Sequence, residues 1–215
     1  MQRRKQTPDS KQKPRNQKTT REKILTNALT EFARHGLDGA RVDRIADTAG
    51  VNKAMIYYYF SSKEELYNRT IIEFFSVVIN KARLAITGGD SLEARLAALA
   101  DMYVDVFTEH AEFSKLFLRE LANPSSKITR KVARLWIQSG APEEAEQLFR
   151  SGIADGQLRR VNTTQAIVSF LVMNIGYILM SPVLDRVFDI PDRKEFLRER
   201  KKSVVDLFMN GVKAK

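Results

Sequence analysis

The side chains of this 215-residue chain leave few routes to covalent chemistry. There is no cysteine, and the two histidines, His35 and His110, allow few catalytic arrangements. The sequence also lacks the HExxH and GxSxG motifs and a glycine loop that could cradle a phosphate. These absences disfavour an enzyme, and we expect neither a metal site nor a cofactor.

Residue types that could recognise another molecule are concentrated in the run ARVDRIADTAGVNKAMIYYYF, residues 40–60. Its apolar spacing predicts two short helices with the inward positions Ile45, Ala46, Ala49, Ile56 and Phe60. Gly50 between them suits a tight turn. The outer face of the second helix then carries polar, small or flat side chains: Asn52, Lys53, Ala54, Met55 and Tyr58. Such groups can meet base edges and phosphates, so the run predicts a helix-turn-helix that docks in the major groove of DNA.

An ordinary pair of buried helices is the alternative interpretation of the same run. Three tyrosines in succession, residues 57–59, point around most of a helix, and a buried tyrosine usually needs a partner for its hydroxyl. At least one of them, Tyr58, should therefore face outward. This requirement disfavours the purely structural interpretation.

The elements that must position these residues are all predicted to be helices. A stripe of apolar residues from Ile24 to Ala33 marks the first helix, and Gly36 can end it as a left-handed cap. Ser61 or Ser62 can cap a further helix that begins near Lys63. Helical periodicity continues to the C-terminus, where the last two helices cover about residues 163–181 and 193–212. No alternating segment indicates a strand, so the fold class is all-α.

The formal charge of +10 is unevenly distributed. Residues 1–20 hold seven basic groups and one acidic group, 7 − 1 = +6, whereas residues 21–66 are balanced. We therefore predict a disordered basic arm over residues 1–19. It is either an inert, solvated extension or an arm that follows the DNA backbone or enters a minor groove.

A membrane protein is disfavoured by the distribution of apolar residues. The arm has none of the apolar side chains that insert into a bilayer surface, and it does not have the apolar stretch of a secretory signal. The longest apolar run, Ile167–Met180, is shorter than the ~20 residues that span a bilayer. We expect a soluble, cytoplasmic protein without a membrane partner.

Residues 24–60, together with Ser62-Lys63-Glu64-Glu65-Leu66, resemble the N-terminal domain of TetR-type transcriptional regulators. The shared pattern is IAxxAGVxxxxxYYYFxSKEEL, preceded by an amphipathic helix that ends in FARHG. The rest of the chain is similar to such proteins only in its architecture of helices. The resemblance implies a helix-turn-helix DNA-binding domain at residues 20–66 and a larger helical ligand-binding and dimerisation domain at residues 67–215.

The resemblance also implies a function. Such regulators are homodimers, and most are repressors that leave their operator when a small molecule binds the C-terminal domain. We therefore expect a sequence-specific transcriptional regulator, most simply a repressor released from double-stranded operator DNA by a small apolar or aromatic ligand. The alternative is an activator, or a regulator controlled by a protein partner without a small-molecule ligand.

Individual DNA contacts follow from the same resemblance. Base-facing positions of the recognition helix fall on Lys53, Ala54, Met55 and Tyr58, and phosphate-contacting positions fall on Tyr57, Tyr59 and Lys63. Arg41 and Val42 lie where the family approaches the DNA backbone. The sequence departs from the family at two places. Ala40 replaces a capping threonine, and Ala54-Met55 replaces a frequent Gly-Thr pair, which favours contact with thymine methyl groups.

A ligand cavity is expected between the middle helices, where aromatic and methionine side chains are frequent. The candidates are Phe74, Tyr103, Phe107, Phe113, Phe117, Trp136, Met173 and Tyr177. Each alone is compatible with plain core, and the candidate polar anchors His110, Asn174 and Arg119 are compatible with structural roles. Because the helix around residues 167–180 is apolar on nearly all sides, it must be buried on more than one side. We predict a dimer interface formed by Ile167, Phe170, Leu171, Ile175, Ile178, Leu179, Val204 and Phe208.

Overall fold

The computed structural model describes residues 12–121 and 126–214, and these residues form ten α-helices. Their bounds are α1 Gln12–Gly39, α2 Val42–Ala49, α3 Lys53–Tyr59, α4 Lys63–Thr87, α5 Leu92–Glu109, α6 Ala111–Leu121, α7 Lys127–Ser139, α8 Ala141–Ala154, α9 Thr163–Val187 and α10 Arg193–Val212. The β-structure of the described residues is limited to an isolated bridge between Leu158 and Lys213. The predicted all-α fold class is confirmed.

The chain divides into two compact units, with the boundary between Ile71 and Ile72. The first unit holds α1, α2, α3 and the beginning of α4. The second holds the remainder of α4 and the six helices that follow it. The boundary lies five residues beyond the predicted division at residues 66 and 67.

The start of α1 differs from the prediction. The helix begins at Gln12, whereas the sequence analysis places residues 12–19 in a disordered arm. Gln, Lys and Arg are good helix formers, and Pro14 lies in the first turn, where its missing N–H has no helical partner to lose. Residues 1–11 of the predicted arm lie outside the described residues. Gly36 interrupts the helical geometry of α1 with φ 68° and ψ −176°, at the position predicted to end the first helix.

The core of the first unit is built from apolar residues of all four of its helices. Side chains with at most 1% exposed surface include Ile24, Phe32, Ile45, Ile56, Phe60 and Leu66. Phe32 of α1 meets Tyr67 of α4 edge to face, with ring centroids 4.9 Å apart. This packing fixes the two short helices, α2 and α3, against the longer ones.

In the second unit, α5 packs against α9 and α10. Lys201 of α10 binds Asp105 of α5 at 2.6 Å and lies 3.4 Å from Asp101. Arg83 of α4 donates hydrogen bonds to both carboxylate oxygens of Glu144 on α8. This hydrogen bonding lowers the pKa of Glu144. The charged pairs thus connect helices at the surface, while apolar packing fills the interior.

Helix α9 continues to Val187, past the end predicted at residue 181. Pro182 has no N–H to donate to the carbonyl of Ile178, and the hydroxyl of Ser181 donates to that carbonyl instead, at 3.0 Å. By length and composition, α9 is the one described helix that could cross a membrane, and only 28% of its most apolar window is buried within the chain. This is weak evidence for a membrane span, because core and interface helices share these properties.

Candidate nucleic-acid interface

Helix α2 begins without a cap from its own N-terminal residue. Arg41 is the N-cap, and its side chain makes no capping hydrogen bond. Its backbone N–H instead donates to Glu31 Oε1 of α1 at 3.0 Å. The same carboxylate lies 3.7 Å from Arg44 Nη1 and 3.7 Å from His35 Nε2. A carboxylate near a helix N-terminus also suits the helix dipole, so Glu31 replaces the local cap that Ala40 and Arg41 do not supply.

The turn between α2 and α3 depends on Gly50. Its backbone is left-handed, with φ 66° and ψ 36°, a region that other residues enter at a cost. The N–H of Gly50 donates to the carbonyl of Asp47 at 3.2 Å, and that of Val51 donates to Ala46 at 3.0 Å. Ala46 is buried and Ala49 is half-buried. Backbone hydrogen bonds therefore close the turn, and the side chains at the end of α2, Ala46 and Ala49, are small.

Helix α3 exposes the predicted recognition surface. Asn52 caps it by accepting the N–H of Met55 at 2.7 Å. Ile56 and Phe60 are buried and hold the helix to the core. The exposed side chains are those of Asn52, Lys53, Ala54, Met55, Tyr57 and Tyr58, and Tyr59 is half-buried. Tyr58 is the most open, with 74% of its surface exposed, in agreement with the requirement that one tyrosine face outward.

Two lysines of the interface already have protein partners. Lys53 Nζ lies 2.9 Å from Asp43 of α2, and the hydrogen bond from this ammonium to Asp43 raises the pKa of Lys53. Lys63 Nζ donates to the backbone carbonyls of Asp38 and Ala40, at 3.2 and 3.4 Å. Lys63 thus holds the segment that leads into α2, and Lys53 pairs with Asp43 across the α2–α3 turn.

Val42 is the one predicted DNA contact whose side chain the structure turns inward. It is 7% exposed and belongs to the core of the first unit. As the first residue of α2, it sits on the apolar face of that helix, with Ile45 and Ala46. Its side chain therefore anchors α2, and Arg41 before it remains exposed.

The predicted pocket residues do not line one cavity in the second unit. Phe74, Phe113 and Phe117 fill space with stacked rings, with centroid distances of 3.4 Å and 5.9 Å between successive rings. Phe107 lines a cleft of about 960 Å³ that also holds charged side chains. Tyr177 lies at a separate depression, and its hydroxyl donates to Asp185 at 2.6 Å. The carbonyl of Met173 accepts from Arg200.

Tyr103 and Trp136 line a different cavity of about 330 Å³, bordered by α4, α5, α7, α8 and α9. Of the candidate polar anchors, Asn174 is buried and its amide donates to the carbonyl of Phe170 at 2.8 Å. His110 is the C-cap of α5 and meets Phe74 edge to face. Arg119 is exposed. The described residues contain no group of three or more His, Asp or Glu side chains suited to a metal ion.

The predicted dimer residues divide into two sets. Phe170, Ile178, Val204 and Phe208 are buried within the chain itself, because α9 and α10 pack on each other and on α5. Ile167, Leu171, Ile175 and Leu179 are half-buried. The outward face of α9 instead carries an apolar row at helical spacing, the α9 stripe: Val168, Val172, Met180, Val183 and Val187.

Sequence analysis missed Glu31, Asp43 and the α9 stripe. Glu31 and Asp43 reach partners ten positions away, at Arg41 and Lys53, and no local spacing rule predicts such contacts. The stripe did leave a signal, since its members recur every three or four residues, or a multiple of that. In a helix apolar on nearly all sides, however, the sequence does not show which face the protomer covers.

Comparison with known proteins agrees with this geometry. Residues 24–70 match the family described as bacterial regulatory proteins, tetR family. The chain is 32% identical over 126 residues to the HTH-type transcriptional repressor SCO4008 of Streptomyces coelicolor, covering 55% of this chain and 64% of that protein. It is 32% identical over 142 residues to the HTH-type transcriptional repressor NicS of Pseudomonas putida, covering 65% of this chain and 64% of that protein. The chain thus spans a little under two thirds of the length of each of these relatives.

Among solved structures, the fold is similar to that of the transcriptional regulator FadR from Bacillus subtilis in complex with stearoyl-CoA. The TM-score is 0.71 at 19% identity, over 88% of this chain and 98% of that one. The likeness at this identity concerns the fold. The matched residues 24–70 and their helix-turn-helix geometry lead to one assignment. The N-terminal helix-turn-helix of this chain is of the tetR type of bacterial regulatory proteins.

Proposed function

We propose that the protein is a cytoplasmic, homodimeric transcriptional repressor that binds operator DNA through α3 and is released by a small apolar ligand. The observation that carries the proposal is the outer face of α3. Lys53, Met55 and Tyr58 stand exposed in a row of mostly uncharged side chains, on a helix held rigidly by Ile56 and Phe60. A rigid helix that presents side chains of this kind is suited to reading base edges. The protein acts by binding, and it has no catalytic role.

The relatives support the repressor assignment, since both SCO4008 and NicS are named HTH-type transcriptional repressors. The presence of a defined apolar cavity in the second unit supports control by a small molecule over control by a protein partner. The complex of FadR with stearoyl-CoA shows that a protein of this fold can hold an acyl compound.

The α9 stripe supports a homodimer. Exposed apolar patches of this kind mark interaction sites, and a two-fold axis allows each stripe to cover its own copy on the partner. Two copies of α3 in one dimer would then read two half-sites of a palindromic operator. A dimer interface would thus cover the apolar face of α9, and no membrane is needed to explain it.

The proposal is tested by selecting DNA sequences that the full-length protein retains, then measuring their affinity by fluorescence anisotropy. We expect a palindromic consensus. Lys53→Ala and Met55→Ala should each change the preference at particular base pairs, by roughly 1–3 kcal/mol where a good contact is lost. Loss of Met55 should act mainly on selectivity for thymine, because its side chain offers only apolar contact.

The matched control is Lys81→Ala, which removes an exposed lysine of the second unit. It should leave both affinity and base preference unchanged. Selection without a consensus, or unchanged preferences in both α3 variants, would contradict α3 as the recognition helix.

A further inference from the structure

The cavity of about 330 Å³ in the second unit has an uncharged wall. Thirteen residues line it, of which four are aromatic and the others are leucine, isoleucine, alanine or proline. None carries a charge. Transfer of an unpaired carboxylate or phosphate into such surroundings is strongly unfavourable, so the wall selects against anionic molecules. The larger cleft near Phe107 differs in this respect, because Lys115, Arg193 and Glu195 are among its lining residues.

Tyr103 supplies a polar group deep in this wall. Its side chain is 5% exposed, and within residues 12–121 and 126–214 its hydroxyl has no hydrogen-bond partner. The fully sealed polar atoms without a partner in this part of the chain are Glu112 Oε2 and Arg200 Nε. The Tyr103 oxygen is not among them, so it keeps some accessible surface, and Tyr103 is one of the residues that line the cavity. Burial raises the pKa of Tyr103, which keeps the hydroxyl neutral at physiological pH.

A buried hydroxyl without a partner is costly, because the hydrogen bond that it made to water is not replaced. Tyr103 is 5% exposed, in contrast to the half-buried Trp136, whose indole N–H is the other polar side-chain group of the wall. A bound molecule that hydrogen-bonds to Tyr103 would remove this penalty, while its apolar part would fill the remaining volume. The uncharged lining and the unpartnered Tyr103 hydroxyl therefore both favour a neutral, mainly apolar ligand with one polar group.

We propose that this cavity binds an uncharged, mainly apolar effector with one hydroxyl or carbonyl group, which forms a hydrogen bond with the Tyr103 hydroxyl. The inference rests on the proposed function, because it names the class of molecule that controls the repressor. It excludes free carboxylates and phosphate esters as occupants of this cavity.

Trp136 provides a direct measurement, since it is the single tryptophan of the chain and lines the cavity. The full-length protein is titrated with 1-octanol and with 2-cyclohexylethanol, which are neutral and do not absorb at the excitation wavelength of tryptophan. We expect a saturable change in Trp136 fluorescence with at least one of them. Octanoate at pH 8, where its carboxylate is ionised, should bind at least about tenfold more weakly than 1-octanol.

Tyr103→Phe keeps the ring and removes the hydroxyl. It should weaken 1-octanol binding by roughly three- to tenfold. The control is Tyr177→Phe, the same change at a buried tyrosine that already binds Asp185, and it should leave the titration unaltered. A second variant, Ala145→Phe, places a ring in the cavity wall and should abolish the fluorescence response, with thermal melting confirming that the protein is folded.

The proposal is overturned if neither alcohol changes Trp136 fluorescence, if octanoate binds as tightly as 1-octanol, or if Tyr103→Phe binds 1-octanol as well as the unaltered protein does. DNA binding is measured separately on the same samples by anisotropy. Failure of DNA binding with intact alcohol binding contradicts the proposed function alone. Failure of alcohol binding with intact DNA binding contradicts the ligand class alone.

Discussion

Glu31 stabilises a helix to which it does not belong. Its side chain on α1 is 11% exposed and accepts the N–H of Arg41 at the start of α2. Arg44 lies close enough to offset its charge. Asp43 likewise holds Lys53 in place on the exposed face of α3. Both carboxylates thus set the geometry or the availability of groups that are proposed to meet DNA.

Replacing Glu31 should separate its capping role from its charge. Glu31→Ala removes the acceptor for the Arg41 N–H and should destabilise the first unit by about 1 kcal/mol, the typical cost of losing a helix cap. Glu31→Gln keeps an acceptor oxygen and should retain most of that stability. Amide exchange at Arg41 and chemical denaturation measure the two effects.

Glu22→Ala serves as the matched control, because Glu22 is an exposed glutamate on the same helix. It should leave exchange at Arg41 unaltered. Equal destabilisation by Glu31→Ala and Glu31→Gln would show that the charge, and not the capping hydrogen bond, is what stabilises α2.

At the scale of elements, the helices and their outer faces could be predicted from apolar spacing. Ile56 and Phe60 were expected to anchor α3, and both are buried. The ends of the helices were harder to predict where a residue distant in sequence, or an unusual side-chain hydrogen bond, satisfies the terminal backbone groups. Helix α9 passes Pro182 because Ser181 satisfies the freed carbonyl, and Glu31 caps α2 from ten residues away. Likewise, the stacking of Phe74 on Phe113 depends on tertiary packing, so aromatic content alone did not locate the cavity.

Two glycines should respond in opposite ways to the same substitution. Gly50→Ala places a residue with a Cβ in the left-handed backbone of the α2–α3 turn. This strain should lower the free energy of unfolding by about 1–2 kcal/mol. The cost comes from the backbone alone, since the new carbon meets no neighbouring group within 4 Å. Gly211→Ala, also without neighbours within 4 Å, lies in helical backbone of α10 and should stabilise that helix by about 0.5–1 kcal/mol.

Thermal unfolding followed by circular dichroism measures both changes. Gly50→Asn is an informative comparison, because asparagine tolerates left-handed backbone better than alanine and should recover part of the loss. A neutral or stabilising Gly50→Ala would mean that the turn can adopt another conformation.

At the scale of the whole molecule, each unit has surface that its own fold leaves open. The first unit exposes α3, and the second exposes the α9 stripe. Phe170 and Phe208 are predicted as dimer contacts, but both are buried in the protomer's own core, where their ring centroids lie 5.0 Å apart. The sequence could show that α9 needs cover on several sides. Only the packing against α5 and α10 shows which side remains for a partner.

Val172→Glu should convert the dimer into a monomer. Val172 is 58% exposed near the middle of the stripe, so a glutamate there leaves the protomer core intact. In a two-fold dimer, however, the substitution brings two carboxylates into an apolar interface, where each is desolvated and unpaired. Sedimentation velocity measures the change in mass, and operator affinity should fall with it, because a monomer engages one half-site at a time.

Leu84→Glu, at a 73% exposed leucine of α4, is the matched control and should remain dimeric. A dimer that survives Val172→Glu, or one that dissociates with Leu84→Glu, would place the interface away from the α9 stripe.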